Sequence, residues 1–224
     1  MNALGPHTSG RLISFEGGEG AGKSTQIRRL ADALERAGLR VVVTREPGGT
    51  PFAEKLRKLL LDGDAQHFGA LGEALLFAAA RIDHLDQVIL PALREGAFVL
   101  CDRFTDSTRA YQGAMGGADM RLVSLLERIA LGERRPDLTV ILDVSAAEGL
   151  ARAARRGVGG DRFERRDLAY HEGLRRAFLD IAQREPIRCR VIDSTRPQAE
   201  VTEEILRLVS ERFHLSHLAG LPAR

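Results

Sequence analysis

The segment "GGEGAGKST", residues 17–25, constrains what this chain can fold into more than any other part of it. Its first eight residues match the pattern G-x-x-x-x-G-K-[ST] in full. The apolar run "RLISFEG" precedes it, and the residues that follow it repeat apolar side chains at helical spacing. A buried strand, a glycine-rich loop and a helix are therefore predicted in succession, which is the arrangement of a P-loop.

Each part of such a loop has a role toward a nucleoside triphosphate. The glycines let successive backbone N–H groups point at phosphate oxygens, and the helix N-terminus adds a partial positive charge. Lys23 is expected to reach the β- and γ-phosphates, and Ser24 to bind Mg²⁺. The predicted nucleotide-binding residues are Gly17, Gly18, Glu19, Gly20, Ala21, Gly22, Lys23, Ser24 and Thr25.

Short apolar runs alternate with helical patterns along the rest of the chain. The runs of strand length are residues 11–17, 40–44, 97–102, 138–144 and 188–193. Five such alternations predict an α/β protein with a five-stranded parallel sheet and helices on both faces, a three-layer α/β/α sandwich. We predict one domain at 11–214 with a lid at about 150–165, and tails at 1–10 and 215–224.

Composition excludes several other classes of protein. The formal net charge is only +2, which gives no support to nucleic-acid binding. The N-terminus is short and polar, and no apolar run reaches the length of a membrane span. We therefore expect a cytoplasmic protein without a membrane or nucleic-acid partner. Cys101 and Cys189 are expected to pack as small apolar side chains.

Charged residues follow the third predicted strand, "FVLCDRF". An acid at the end of an apolar strand beside a P-loop is the usual partner of Mg²⁺ and its water ligands, so Asp102 is the second predicted metal residue after Ser24. Arg103 can hold a second phosphate group through two parallel hydrogen bonds. Lys23, Asp102 and Arg103 are therefore predicted to be catalytic.

The stretch "RAARRGVGGDRFERR", residues 152–166, places many arginines around glycines. A static face with so many like charges would repel itself, whereas a lid could bring positive charge to a phosphoryl group in transfer. Few aromatic residues interleave, so stacking on nucleic-acid bases is not indicated. Arg156 and Arg162 are the predicted catalytic arginines of this lid, although the sequence does not rank its arginines among themselves.

Two further groups of residues are ambiguous when they are considered alone. Phe77 and Arg81 share a helix face, which fits a core phenylalanine and a solvated arginine. Thr108, Tyr111 and Gln112 fit the start of a helix.

Together these segments resemble thymidylate kinase, the dTMP kinase among the nucleoside monophosphate kinases. The resemblance covers residues 12–213 and rests on "FEGGEGAGKST", "TREPGGT", "LLFAAAR", "DRF" with "STRAYQG", "RPDLTVILDV" and "GDRFE". It implies the P-loop NTPase fold of the nucleoside monophosphate kinase type. It also implies phosphoryl transfer from ATP to dTMP, and a homodimer formed through the helices around 70–95 and 120–132.

The resemblance also implies a role for individual side chains. Phe77 would stack on thymine, and Arg81 would bind the base carbonyl that distinguishes thymine from cytosine. Thr108 would lie near the base edge and Tyr111 beneath the deoxyribose. The remaining substrate-binding residues would be Arg45 and Arg103 at the dTMP phosphate, Glu19 at the sugar 3′-hydroxyl, and Gln112.

The P-loop has no arginine and the lid is basic, so the chain resembles the bacterial kind of thymidylate kinase. Arg109 departs from the family, in which a neutral residue is common at this position, and the sequence assigns it no role. Alternative functions are another nucleoside monophosphate kinase, a deoxynucleoside kinase with Glu16 or Glu19 as base, and a nucleotide-binding regulator without transferase activity.

Overall fold

The computed structural model describes residues 10–132, 134–155 and 161–215. Within these residues one sheet contains five strands: β1 (Arg11–Glu16), β2 (Val41–Arg45), β3 (Phe98–Asp102), β4 (Leu138–Asp143) and β5 (Cys189–Asp193). Neighbouring strands are all parallel, in the order β2-β3-β1-β4-β5. The predicted five-stranded parallel sheet is confirmed, and each strand begins and ends within one residue of its predicted limits.

Helices connect the strands within the same described residues: α1 (Lys23–Arg36), α2 (Pro51–Asp62), α3 (Gly69–His84), α4 (Leu90–Arg94), α5 (Thr105–Thr108), α6 (Met120–Leu131), α7 (Ala146–Ala154), α8 (Leu168–Arg184) and α9 (Gln198–Phe213). Short polar side chains cap the start of several helices by accepting a backbone N–H of the first turn: Thr50, Asp119, Ser145 and Asp167. None of the described helices is long and apolar enough to span a bilayer. The cytoplasmic location stays a prediction.

The central strand supplies side chains to apolar layers on both faces of the sheet. Ile13 and Phe15 pack into one cluster with residues of α1 and α9. Leu12 points the other way and packs with Val99 and with apolar residues of the helical segment 85–92. This alternation follows from the two-residue period of a strand. It confirms the predicted three-layer arrangement.

The carboxyl ends of the strands form the edge at which a ligand is expected. The neighbouring strands β1 and β3 are followed by segments on opposite faces of the sheet, α1 on one face and α6 on the other, and ligands of open α/β sheets bind at such a point. Phe15 and Arg45 both pair with Asp102 in the sheet register. The segments that follow β1, β2 and β3 therefore start at one level.

Two helical segments are π-helical, which the sequence pattern did not indicate. Leu85–Ile89 is a π-helical turn between α3 and α4, and the helix continues through Pro91, near which an interruption was expected. Arg109–Met115 is also π-helical and continues directly from α5. The residues around 108–112, which fitted a helix start, therefore lie within a helical segment. π-turns occur often at functional sites.

Parts of the predicted domain plan lie outside the described residues. These parts are residues 1–9, residues 216–224 and the middle of the predicted lid, 156–160. The domain limits and the lid therefore stay predictions.

Arg109, which had no assigned role, holds the second π-helical segment to its neighbours. Its Nε and Nη2 donate to the two carboxylate oxygens of Glu127 on α6, at 2.7 and 2.9 Å. Its Nη1 donates to Glu185, and to Asp106 at 3.3 Å. Asp106 accepts two more hydrogen bonds from Arg188, at 2.6 and 2.9 Å. The cluster thus balances charges that are largely out of water, and losing one partner would leave another uncompensated.

Arg109→Leu should destabilise the fold by about 3 kcal/mol, because the buried carboxylate of Glu127 would lose the guanidinium that balances its charge. Arg109→Leu combined with Glu127→Leu should recover most of that loss, since no unpaired charge then remains. Urea unfolding of both variants measures the difference. The exposed pair Arg40–Glu95 serves as control, and Arg40→Leu should cost less than about 0.5 kcal/mol. A double variant that is less stable than Arg109→Leu would contradict this account of the cluster.

Candidate active site

The P-loop fits closely against the end of β4 and against α7. Gly17 and Gly20 have φ angles of 130° and 67°. A Cβ on Gly17 would lie 2.4 Å from the carbonyl oxygen of Leu142, and one on Gly20 would lie 1.9 Å from that of Gly149. Both the backbone conformation and the available space therefore require glycine at these two positions.

Residues 19–25 line a polar cleft, the P-loop pocket, together with Glu46, Arg57, Asp102, Arg103, Asp161 and Glu164. Lys23 Nζ donates to the carbonyl oxygens of Gly17 and Gly18, at 3.1 and 2.9 Å. Burial, with Arg103 as the next cause, lowers the pKa of Lys23 below its usual value. Ser24 Oγ donates to Asp102 Oδ2 at 2.8 Å. The structure thus brings Lys23, Ser24 and Asp102 together at one pocket, whereas Gly17 and Gly18 contact Lys23 and do not line that pocket.

Arg103 has a left-handed backbone conformation, with φ of 67°. This conformation is uncommon outside glycine, and it often occurs at functional sites. The guanidinium donates to the Gly17 carbonyl oxygen at 3.3 Å, pairs with the Glu19 carboxylate, and lies 5.1 Å from the ring centroid of Tyr111. Burial would lower the pKa of Arg103, but Tyr111 and Glu19 outweigh it and raise the pKa. Arg103 therefore stays charged where the P-loop approaches Tyr111.

Glu19 is a carboxylate within the P-loop whose side-chain partners come from the segment after β3. Besides its ion pair with Arg103, it accepts the Tyr111 hydroxyl at 3.1 Å. Burial would raise the pKa of Glu19, but Arg103 and then Lys23 outweigh it and lower the pKa to about 2. Glu19 is therefore charged at neutral pH, and its charge is balanced locally.

A second cavity, the aromatic pocket, adjoins the P-loop pocket. Seven predicted substrate-binding residues line it: Glu19, Phe77, Arg81, Arg103, Thr108, Tyr111 and Gln112. The remaining lining residues are Glu46, Pro47, Arg57, Leu61, Phe104, Ser107, Asp161 and Phe163. Arg45 lines neither pocket, and its half-exposed guanidinium pairs with Glu54 at 3.0 Å.

Phe77 and Arg81 lie in surroundings that their spacing alone did not indicate. Phe77 is half-buried and lines the aromatic pocket. Arg81 is only 3% exposed, because its Nε donates to the buried Glu46 carboxylate at 2.6 Å. Its Nη2 donates to Thr108 Oγ1 at 3.1 Å, and its guanidinium lies 5.3 Å from the Phe104 ring centroid. The interpretation of Arg81 as a solvated residue is wrong.

Comparison with known proteins identifies the family. A model of the family "Thymidylate kinase" matches residues 15–205. The thymidylate kinase of a Bradyrhizobium species is 56% identical over 206 residues, which is 91% of this chain and 91% of the relative. That of Caulobacter vibrioides is 56% identical over 208 residues, which is 93% of this chain and 100% of the relative. This chain belongs to the thymidylate kinase family.

A solved structure supports the same assignment. The crystal structure of thymidylate kinase from Ehrlichia chaffeensis matches with a TM-score of 0.72 at 36% sequence identity. The match covers 90% of this chain and 99% of that one. The family resemblance and the enzyme class predicted from the sequence, an ATP-dependent nucleoside monophosphate kinase, are confirmed.

The predicted lid of this thymidylate kinase family member contacts the aromatic pocket where the structure describes it. The ring of Phe163 meets that of Tyr111 edge to face, with the centroids 5.3 Å apart. Arg162 donates to the Leu60 carbonyl oxygen at 2.7 Å, and pairs with Glu73 on α3 at 2.7 Å. Arg162 thus ties the lid to α2 and α3 and lines neither pocket. Arg156 lies outside the described residues.

Several lining residues were not predicted from the sequence. Arg57 lines both pockets, and burial together with Arg45 lowers its pKa. Its Nη1 donates to the Pro47 carbonyl oxygen at 2.8 Å. Glu46 and Asp161 also line both pockets. A signal for Glu46 was present in "TREPGGT", where it stands beside Arg45, but the pattern did not indicate its partner.

Proposed function

We propose that this chain transfers the γ-phosphoryl group of ATP to the phosphate of dTMP, giving ADP and dTDP for dTTP synthesis. One observation carries the proposal: a polar pocket around the P-loop and an aromatic pocket share a wall. The residues that line both are Glu19, Glu46, Arg57, Arg103 and Asp161. The P-loop pocket suits the donor phosphates, and the aromatic pocket suits a flat base with its sugar. The phosphates of the two nucleotides would then meet at Arg103 and Arg57.

The donor side supports a bound Mg²⁺. Ser24 Oγ and Asp102 Oδ2 are hard oxygen donors 2.8 Å apart, and such ligands are the ones that Mg²⁺ prefers. Bound there with ATP, Mg²⁺ would offset charge on the β- and γ-phosphates. Lys23 would exchange its hydrogen bonds to Gly17 and Gly18 for phosphate oxygens.

The acceptor side requires positioning more than proton transfer. A dTMP phosphate oxygen is already an anion, so the reaction needs no strong general base. Arg103 would hold the acceptor phosphate in line with the γ-phosphate, and its ion pair with Glu19 fixes its orientation. Arg45 would join it by leaving Glu54. Arg156 and Arg162 would supply lid charge, for which Arg162 would have to leave Glu73.

The aromatic pocket would select the base and the sugar. Phe77 would stack on thymine, Arg81 would donate to its carbonyl oxygen, and Thr108 and Gln112 would face the base edge. Tyr111 would lie beneath the deoxyribose, and Glu19 would accept its 3′-hydroxyl.

The two candidate bases give little support to a deoxynucleoside kinase. Glu16 is fully buried, lines neither pocket, and accepts backbone hydrogen bonds from Phe104 and Ser107 at 2.8 and 3.3 Å. Burial, with Asp106 as the next cause, raises the pKa of Glu16 to about 7, but its carboxylate does not face a substrate. Glu19, with a pKa of about 2, is a weak base. A nucleotide-binding regulator would need Lys23 for the phosphates but would not need Arg103 between two pockets.

ADP release should be fastest with dTMP among a panel of nucleoside monophosphates and thymidine, and a better acceptor than dTMP would contradict the proposal.

Arg103→Met should lower kcat/KM for dTMP by about 100-fold, the scale for losing one preorganised donor. Its Kd for a non-hydrolysable ATP analogue should change by less than about threefold, since the P-loop backbone and Lys23 are retained. Arg40→Met, at an exposed ion pair, should change neither value. Equal losses for dTMP and ATP would argue against an acceptor role for Arg103.

We further propose that two copies of the chain associate through α3 and α6, which pack side by side. Large apolar side chains on these helices are exposed: Leu71, Leu75, Ile82, Met120, Leu122, Leu125 and Ile129. Exposed apolar side chains concentrated on two packed helices are typical of interaction sites. The homodimer implied by the resemblance gives this surface an occupant.

Ile129→Glu and Leu75→Glu should each shift the molar mass in light scattering from dimer to monomer, because each would bury a charge in the interface. Ile187, at 77% exposure, lies between α8 and β5 and belongs to neither helix. Ile187→Glu should leave the mass unchanged. A monomeric wild-type chain, or equal effects of all three changes, would contradict the proposed interface.

A further inference from the structure

Glu46 lies under the aromatic pocket with a different partner on each carboxylate oxygen. Arg81 Nε donates to Oε2 at 2.6 Å, and His84 Nδ1 lies 3.2 Å from Oε1. His84 has no exposed surface, and Glu46 and Arg81 are nearly as buried. His84 lies outside the pocket lining, so it does not contact a ligand in that pocket.

The donor and acceptor properties of these side chains determine the direction of the hydrogen bonds. A carboxylate paired with a guanidinium only accepts, so His84 Nδ1 carries the hydrogen that points at Glu46. Thr44 Oγ1 lies 2.7 Å from Nε2 on the other side of the ring. In the neutral imidazole, Nε2 accepts a hydrogen bond from the Thr44 hydroxyl. In either protonation state, Nδ1–H donates to Glu46 Oε1.

The loop after β2 also holds the imidazole in place. Gly49 has a φ of 88°, and a Cβ there would lie 2.5 Å from His84 Nε2 and 2.8 Å from Thr44 Oγ1. The ring therefore has no room to swing toward this loop. Cys101 Sγ lies within 4.8 Å of the Glu46 and His84 ligand atoms, but the Arg81 guanidinium on the same carboxylate opposes a metal cation there.

The consequence concerns Arg81. An arginine facing a carboxylate commonly forms two parallel hydrogen bonds, which occupy both carboxylate oxygens. Here Arg81 reaches Glu46 through Nε alone, and His84 contacts the other oxygen. One terminal nitrogen donates to Thr108, and the other N–H groups have no acceptor among the described residues. They stay available to a molecule in the aromatic pocket, which Arg81 lines.

We propose that His84 is a positioning residue for base selection. By occupying one oxygen of Glu46, it prevents a two-point Glu46–Arg81 pair and keeps terminal N–H groups of Arg81 directed to the carbonyl oxygen of the acceptor base. This inference rests on the proposed function, in which dTMP binds in the aromatic pocket. Without His84, Glu46 would draw the Arg81 guanidinium into a two-point pair and away from the base.

Two amides of different length test the proposal at the same position. His84→Asn places an N–H near the position of Nδ1 and keeps the donor to Glu46. His84→Gln places its amide near the position of Nε2 and leaves Oε1 of Glu46 free. The measurements are kcat/KM for dTMP and for dCMP, which has an amino group in place of that carbonyl, together with KM for ATP and thermal unfolding.

His84→Gln should lower kcat/KM for dTMP by about 10-fold, the scale of one misdirected hydrogen bond, and should leave dCMP nearly unchanged. The dTMP to dCMP preference then falls by the same factor, and KM for ATP stays within about twofold. His84→Asn should keep dTMP activity within about threefold of wild type. Thr44→Val, which keeps the shape of Thr44 and removes the hydroxyl, should lower the preference by about threefold and carries the test if His84→Gln fails to fold.

Equal losses for the Asn and Gln variants, an unchanged dTMP to dCMP ratio in His84→Gln, or a parallel rise in KM for ATP would overturn the proposal and leave His84 a packing residue. Failure of the proposed function gives a different result. In that case the wild-type protein itself would not prefer dTMP over dCMP.

Discussion

The position of β1 in the middle of a parallel sheet is the constraint on which the site depends. Because β1 pairs with β3 on one side and β4 on the other, its carboxyl end faces segments from three directions. The loop after β1 then approaches Asp102 and Arg103 after β3, and Gly149 on α7. Apolar layers on both faces hold β1 in this place, so the phosphate-binding backbone begins at the end of a strand that is packed on both sides.

Three of the largely buried carboxylates among the described residues are paired with arginines. Glu46 pairs with Arg81, Glu19 with Arg103, and Glu127 with Arg109. Such pairs add little net stability, because desolvation offsets much of their attraction. Their value here is orientation. The first two pairs direct arginine donors into the aromatic pocket, and the third holds the π-helical segment that carries Tyr111 and Gln112.

Local sequence patterns predicted those site residues whose role follows from their immediate neighbours in the chain. Lys23 and Ser24 follow from the P-loop spacing, and Asp102 follows from the end of an apolar strand. The burial of Arg81 did not follow, because its partner Glu46 lies in another segment. Arg109 was unexplained for the same reason, since Glu127 and Glu185 come from later helices. The π-helical turns depend on packing against neighbouring elements, which no single window of sequence encodes.

The negative charge in the P-loop has a place in this arrangement. Glu19 contacts Arg103 and Tyr111 at the wall that the two pockets share. It would thus mark where the donor site ends and the acceptor site begins.

Calorimetric titration of Glu19→Gln with dTMP and, separately, with a non-hydrolysable ATP analogue tests this division most directly. The account predicts that Kd for dTMP rises about tenfold, because the amide loses the ion pair that orients Arg103, while Kd for the ATP analogue stays within about threefold. A larger change for the ATP analogue than for dTMP would contradict it.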